Sequence, residues 1–131
     1  MTKILKMNYN KKFDIQLKQG QKLEDQLAQF FTGKNIEVKS ERYLWEQTGN
    51  LFIEYQYKGQ PSGIAATEAD YWALCLIRDE QLLQMYILPT DTLKRITRRF
   101  IDTERDVVGG DNDNSRGIKV PIDDIANGYK F

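Results

Sequence analysis

Ile36-Glu37-Val38-Lys39 alternates apolar with charged residues, and a further acid, Glu54, sits in the later run Leu51-Phe52-Ile53-Glu54-Tyr55. A β-strand turns successive side chains to opposite faces. The alternation therefore predicts Ile36 and Val38 in a core, with Glu37 and Lys39 projecting together from the other face. Glu54 repeats the arrangement one strand later, sharing a face with Phe52 and Gln56. Two carboxylates and an ammonium on one sheet face are the parts needed to hold Mg²⁺ and cut a phosphodiester. Mg²⁺ takes oxygen ligands and keeps several waters, so one or two carboxylates plus a substrate phosphate suffice. A cation placed there orients a water, lowers its pKa and stabilises the departing oxygen. A nearby lysine positions that water or neutralises developing charge. The competing reading of the same run is a solvated strand face, ordinary wherever acids and lysines alternate.

Composition narrows the chemistry. The chain has no histidine, which excludes Ser-His-Asp and Cys-His catalysis, His-ligated zinc and His-ligated haem. The one cysteine, Cys75, lies in the apolar run Ala73-Leu74-Cys75-Leu76-Ile77. It cannot form an internal disulfide and reads as a small core hydrophobe. At 131 residues the simplest organisation is one domain spanning 1–131. Hydrophobic content of 40% with 29% charged residues is ordinary for a globular chain. Net charge is zero but unevenly spread: Lys3, Lys6, Lys11, Lys12, Lys18 and Lys22 face only Asp14 near the N-terminus, whereas the tail after Ile101 is acidic. Such asymmetry makes a local basic surface without a basic protein. No segment is long and apolar enough to span a bilayer, and the N-terminus lacks a signal-peptide pattern, so a cytoplasmic location is expected.

The elements that must position the acids follow from periodicity. A short strand is expected at Lys12–Leu17, a break at Gly20, and then a helix from about Gln21 to Thr32. Leu23, Leu27, Phe30 and Phe31 form that helix's apolar stripe, with Gly33 as C-cap. Glu24 lies at the edge of the stripe. Strands are expected at Asn35–Arg42 and Leu51–Tyr57, separated by the turn Gln47-Thr48-Gly49-Asn50. A second turn runs from Lys58 to Gly63, and Thr67 reads as the cap of a short helix into Tyr71-Trp72-Ala73-Leu74. Two more strands follow near Leu74–Ile77 and Leu82–Leu88. Thr90 can cap a helix to about Ile101, with Leu93, Ile96, Phe100 and Ile101 inward and Lys94, Arg95, Arg98 and Arg99 on the polar side. Val108–Ser115 reads as a flexible loop, and Ile118–Ile122 as a short edge strand that tolerates Pro121.

Glu37-Val38-Lys39, the upstream helix acid Glu24 and the order helix–strand–strand–helix–strand resemble the PD-(D/E)XK nuclease superfamily. More closely, Ile36-Glu37-Val38-Lys39, Thr48-Gly49-Asn50-Leu51-Phe52-Ile53-Glu54, Pro61-Ser62-Gly63-Ile64 and Ala69-Asp70-Tyr71-Trp72 look like a set of small phage-encoded nuclease-like proteins. The resemblance spans roughly Gly20 to Trp72. It implies an α/β (α+β) fold, a mixed central β-sheet flanked by helices in the restriction-endonuclease-like manner. It also implies Mg²⁺- or Mn²⁺-dependent hydrolysis of DNA in a cytoplasm, the host's if the chain is phage-encoded. Glu37 and Lys39 carry over as the acid and lysine of E-x-K, and Glu24 as the acid of the first helix. The superfamily usually places another acid, commonly Asp, on the strand before E-x-K, and none stands there. Two registers follow. In one, Glu37 is the first acid and Glu54 the second, with Gln56 in the lysine position. In the other, Glu37-x-Lys39 is the signature and Asp14 or Glu54 supplies the missing ligand. Glu37 and Glu54, facing outward from adjacent strands, are the favoured pair.

Substrate contact falls to the basic helix. Lys94, Arg95, Arg98 and Arg99 can meet backbone phosphates, with affinity that falls with salt; a solvated helix face is the plain alternative. Tyr71 and Trp72 are expected in the core, although aromatics of this kind can stack bases. Ser62, Gly63 and Thr67 suit a phosphate-binding helix start or a plain turn and cap. Asp111-Asn112-Asp113 lacks the closing glutamate of a calcium loop and is not one. Two further classes stay open: a nuclease-like fold that binds nucleic acid or protein without turnover, and a homo-oligomer or partner-completed subunit.

Overall fold

The computed structural model of the protein describes residues 11–127, which fall into two compact units divided after Gly33. In the first unit a single helix, α1, runs Lys11–Phe31. The expected strand at Lys12–Leu17 and the break at Gly20 are therefore corrected to continuous helix. A mid-helix glycine costs only about 1 kcal/mol relative to alanine, and the Gln, Lys and Leu residues around it are good helix formers. Leu23 and Leu27 of the expected stripe are exposed (65% and 49%).

The second unit holds all seven strands of the described residues in two sheets. β1 (Ile36–Arg42), β4 (Tyr71–Arg78) and β5 (Gln81–Pro89) form one, in the order β1-β4-β5. Here β1 runs parallel to β4, and β5 antiparallel to it. The other sheet is antiparallel throughout, ordered β3-β2-β7-β6, from β2 (Asn50–Tyr57), β3 (Gln60–Pro61), β6 (Asp106–Gly109) and β7 (Ser115–Pro121). Short helices α2 (Leu44–Thr48), α3 (Thr90–Arg98) and α4 (Ile122–Ala126) complete a mixed α+β architecture. Among the described residues no helix is long and apolar enough to cross a membrane.

The core lies between the sheets and α3. Leu51 and Ile53 of β2 pair with Val120 and Ile118 of β7, and all four are fully buried with Leu76 of β4 and Leu93 of α3. Cys75 is buried as well, in keeping with a small hydrophobe.

Several sequence expectations change in this unit. The loop expected at Val108–Ser115 begins inside β6 and ends in β7. The short helix expected from Thr67 into Leu74 does not form: residues 67–70 are irregular and β4 begins at Tyr71. Tyr71-Trp72-Ala73-Leu74-Cys75-Leu76 is an unbroken apolar run on the middle strand of its sheet, and strands covered on both faces carry such runs. Ile118–Pro121 belongs to a central strand, paired with both β2 and β6. Pro121 is accommodated because it is that strand's last residue. The α3 helix ends at Arg98, and Thr90 is its first residue, not its cap. The Thr90 hydroxyl donates to the Ala69 carbonyl (2.6 Å), tying α3 to the entry of β4.

A part-buried polar staple joins β2, β6 and β7 around the buried Asp106. The Tyr55 hydroxyl donates to Asp106 (2.8 Å), and Arg116 Nε donates to both Tyr55 (2.9 Å) and Asp106 (3.1 Å). The Asp102 backbone N–H donates to the second Asp106 oxygen (2.9 Å). Tyr55 reaches this position because β2 bulges between Glu54 and Gln56. Burial, then the hydrogen bond to Asp106, raises its phenol pKa.

Candidate active site

The parallel register of β1 on β4 sets Glu37 beside Trp72, Lys39 beside Leu74 and Glu41 beside Leu76. Registered neighbours share a sheet face, so the charged side of β1 lies on the same face as core residues of β4. Ile36 and Val38 are on the opposite face and exposed (40% and 66%). The alternation expected from the sequence holds, but its sense is reversed: the apolar residues do not enter the core. An edge strand makes this tolerable, since only one neighbour covers it and its acids reach water at the sheet margin.

That reversal brings the expected residues together. Glu37, Lys39 and Glu54 line one cleft of about 380 Å³, with Phe52, Gly63 and Trp72 among its other walls. Glu54 is held on both oxygens. Ser62 Oγ donates to Oε2 (2.9 Å) and Ser115 Oγ to Oε1 (2.5 Å). Two neutral donors orient a carboxylate without cancelling its charge, and each oxygen keeps lone-pair capacity for another partner. The Ser62 backbone N–H donates to the Tyr55 carbonyl (3.0 Å). Gly63 follows at φ +50, so close to β2 that a Cβ there would stand 2.2 Å from the Glu54 carbonyl oxygen. Pro61-Ser62-Gly63 is thus the clasp that fixes Glu54, a role sequence reasoning missed. Its signal was a glycine in a tight turn; nothing local tells that the serine reaches back eight residues.

Lys39 Nζ lies 3.2 Å from Glu41 Oε1. That oxygen is buried and makes no hydrogen bond of acceptable angle, so the contact is an ion pair by distance alone. Trp72 is 4% exposed and its indole Nε1 likewise makes no hydrogen bond among the described residues. Trp45 Nε1, by contrast, donates to the Ile77 carbonyl (2.9 Å).

The remaining expected residues sit elsewhere. Glu24 and Asp14 lie on α1, in the first unit. Lys94 and Arg98 line a hollow of about 250 Å³ with Tyr55 and Ile64, apart from the acid cleft. Arg95 and Arg99 are exposed. A chain of shared walls nevertheless connects the two places. A hollow of about 530 Å³ shares Glu37 and Gly63 with the acid cleft, and its Thr67, Glu68 and Ala69 also border a hollow that reaches Lys94. Glu68, Asp70 and Asp91 are the further acids along this route.

No three acids or thiols gather into a metal-binding cluster among the described residues. Glu37 and Glu54 are the two carboxylates lining the acid cleft, and one or two carboxylates with waters is a donor set hard divalent cations accept. Comparison with protein families, with curated proteins and with solved structures returned no match.

Proposed function

We propose that this chain is a metal-dependent nuclease, of restriction-endonuclease-like architecture, that hydrolyses DNA phosphodiester bonds. The observation that carries the reading is one cleft lined by Glu37, Lys39 and Glu54, from strands in different sheets. Glu37 and Glu54 are the residues to hold Mg²⁺ or Mn²⁺, which when bound polarises the phosphate and acidifies a water. Glu54 is held in place by Ser62 and Ser115. Lys39, tethered by Glu41, stands on the same wall to orient the attacking water. Lys94 and Arg98 hold the backbone further along the connected hollows, with Arg95 on the exposed side of α3 and Arg99 just past its end. Glu24 is the first-helix acid that the resemblance implies, and its substitution tests that role separately.

The test is cleavage of circular and linear DNA with Mg²⁺ or Mn²⁺, with Glu37→Ala and Glu54→Ala in parallel. Metal-dependent cutting by the parent, reduced about a hundredfold or more in each variant, is the expected result. Equal rates in parent and variants would sink the site assignment.

Gln56 in one possible lysine position, with only two acids in the cleft, favours a second reading: a nuclease-like fold that binds nucleic acid or protein without turnover. DNA binding unaltered by EDTA, with no cleavage under any divalent cation, would select it.

A further inference from the structure

Beside the acid cleft lies a second cavity, of about 410 Å³, that the reaction above does not use. The two share Lys39 and Phe52 as walls. Its other sides include Leu44 of α2, Val107 and Val108 of β6, and Glu41 of β1. The volume falls in the range of small-molecule sites, about 300–1,000 Å³, and the lining has the usual character of one: carbon walls with a few convergent polar groups.

Two features say what it suits. The first is a fixed aromatic. Phe52 lies against backbone that has no Cβ in the way: one built on Gly109 would come within 3.3 Å of the ring, and one on Gly117 within 2.6 Å. A ring so seated is a rigid platform for a flat heterocycle. The second is charge. Glu41 brings a carboxylate whose buried Oε1 is ion-paired with Lys39 (3.2 Å), leaving Oε2 as the acceptor for a further donor, and Lys119 is the second cation at the cavity's margin. A carboxylate oxygen with lone pairs to spare accepts strongly from an N–H donor.

We propose that this cavity receives the base of the nucleotide whose phosphate occupies the acid cleft. The base stacks on Phe52 and presents its N–H groups to Glu41. Guanine fits best, since its N1–H and exocyclic amine bring two adjacent donors to that oxygen. Adenine and cytosine offer the amine alone. Thymine fits worst, because its one N–H is flanked by carbonyl oxygens that the carboxylate repels. The inference rests on the nuclease reading for the phosphate next door, but not for the base itself.

Titration of the full chain with dGMP, dAMP, dCMP, dTMP and deoxyribose 5-phosphate, followed by calorimetry, tests it. The expected result is dGMP binding at least about tenfold tighter than dTMP or deoxyribose phosphate, on the scale of a good base-edge contact. Val108→Trp, at a half-exposed wall position, should bring every nucleotide down to the affinity of deoxyribose phosphate. Leu44→Asp, at a position 61% exposed, gives an independent second blockade if the first variant fails to fold. Glu41→Gln should shrink the preference for dGMP. Equal binding of nucleotides and deoxyribose phosphate, no binding of either, or nucleotide affinity unmoved by both blocking variants would overturn the proposal. DNA cleavage undisturbed by Val108→Trp and blind to base identity would remove this cavity and leave the nuclease. Base-selective binding in a protein that never cuts would do the reverse.

Discussion

Glu54 owes its geometry to two serine hydroxyls, each donating to a different carboxylate oxygen. Replacing either serine with alanine removes one hydrogen bond to a charged group, an interaction of roughly 1.5–3 kcal/mol. The expected outcome for Ser62→Ala and for Ser115→Ala is a fall of about tenfold or more in cleavage rate, measured at saturating metal. Trp72→Phe is expected to leave Tm unchanged or slightly higher, because the indole N–H it deletes makes no hydrogen bond among the described residues; thermal unfolding followed by circular dichroism decides it. Alternation put Glu37, Lys39 and Glu54 on one sheet face of adjacent strands; they share a cleft instead from β1 and β2 in different sheets. Which face of β1 meets the core was not legible from it: a period of two separates two faces but names neither. The sense was set by the parallel partner β4, whose Trp72, Leu74 and Leu76 lie 35 residues downstream of their partners in β1.

Elements were legible where one pattern acted alone. Strands β1, β2 and β5 and the inward Leu93 and Ile96 of α3 follow from periodicity, whereas Phe100 and Ile101 of the expected stripe lie past the helix end and Ile101 is exposed. The start of β4 was misread because Thr67 and Asp70 mimic a capping box, while the apolar run after them fits strand and buried helix equally. Asp106 was just another tail acid in the sequence, yet it fastens three strands. Burial alone pushes its carboxyl up, but the Asp102 N–H, the Tyr55 hydroxyl and Arg116 outweigh that and hold its pKa below the ordinary value. Its folded pKa is therefore below its unfolded one. The stabilisation is present above the unfolded pKa and lost as pH falls through the folded one. Asp106→Asn should accordingly flatten the decline of stability below about pH 4, read from urea unfolding at stepped pH. On α3, Lys94→Ala with Arg98→Ala should weaken DNA binding and lower the slope of log affinity against log salt by about 2, one for each phosphate no longer neutralised.

At the scale of the molecule, every residue of the hydrophobic core cluster falls between Leu51 and Ile125, within the second unit. A chain starting at Lys34 should therefore keep a single cooperative unfolding transition in calorimetry; a broad, non-cooperative melt would show that this unit does not stand by itself. The position of β1 has a consequence for how the unit comes together and comes apart. It is an outer strand, hydrogen-bonded only to β4 among the described strands, and the pairing joins segments distant in sequence. Long-range parallel pairing forms late in folding, and weakly covered edges open first in native fluctuations. Two of the three cleft residues ride on that strand, while Glu54 sits on a strand flanked on both sides by β3 and β7. Amide deuterium exchange should thus be faster at Glu37–Lys39 than at Leu51–Ile53. A bound cation that bridges Glu37 and Glu54 should slow it, so the cleft is half permanent and half assembled by what it binds.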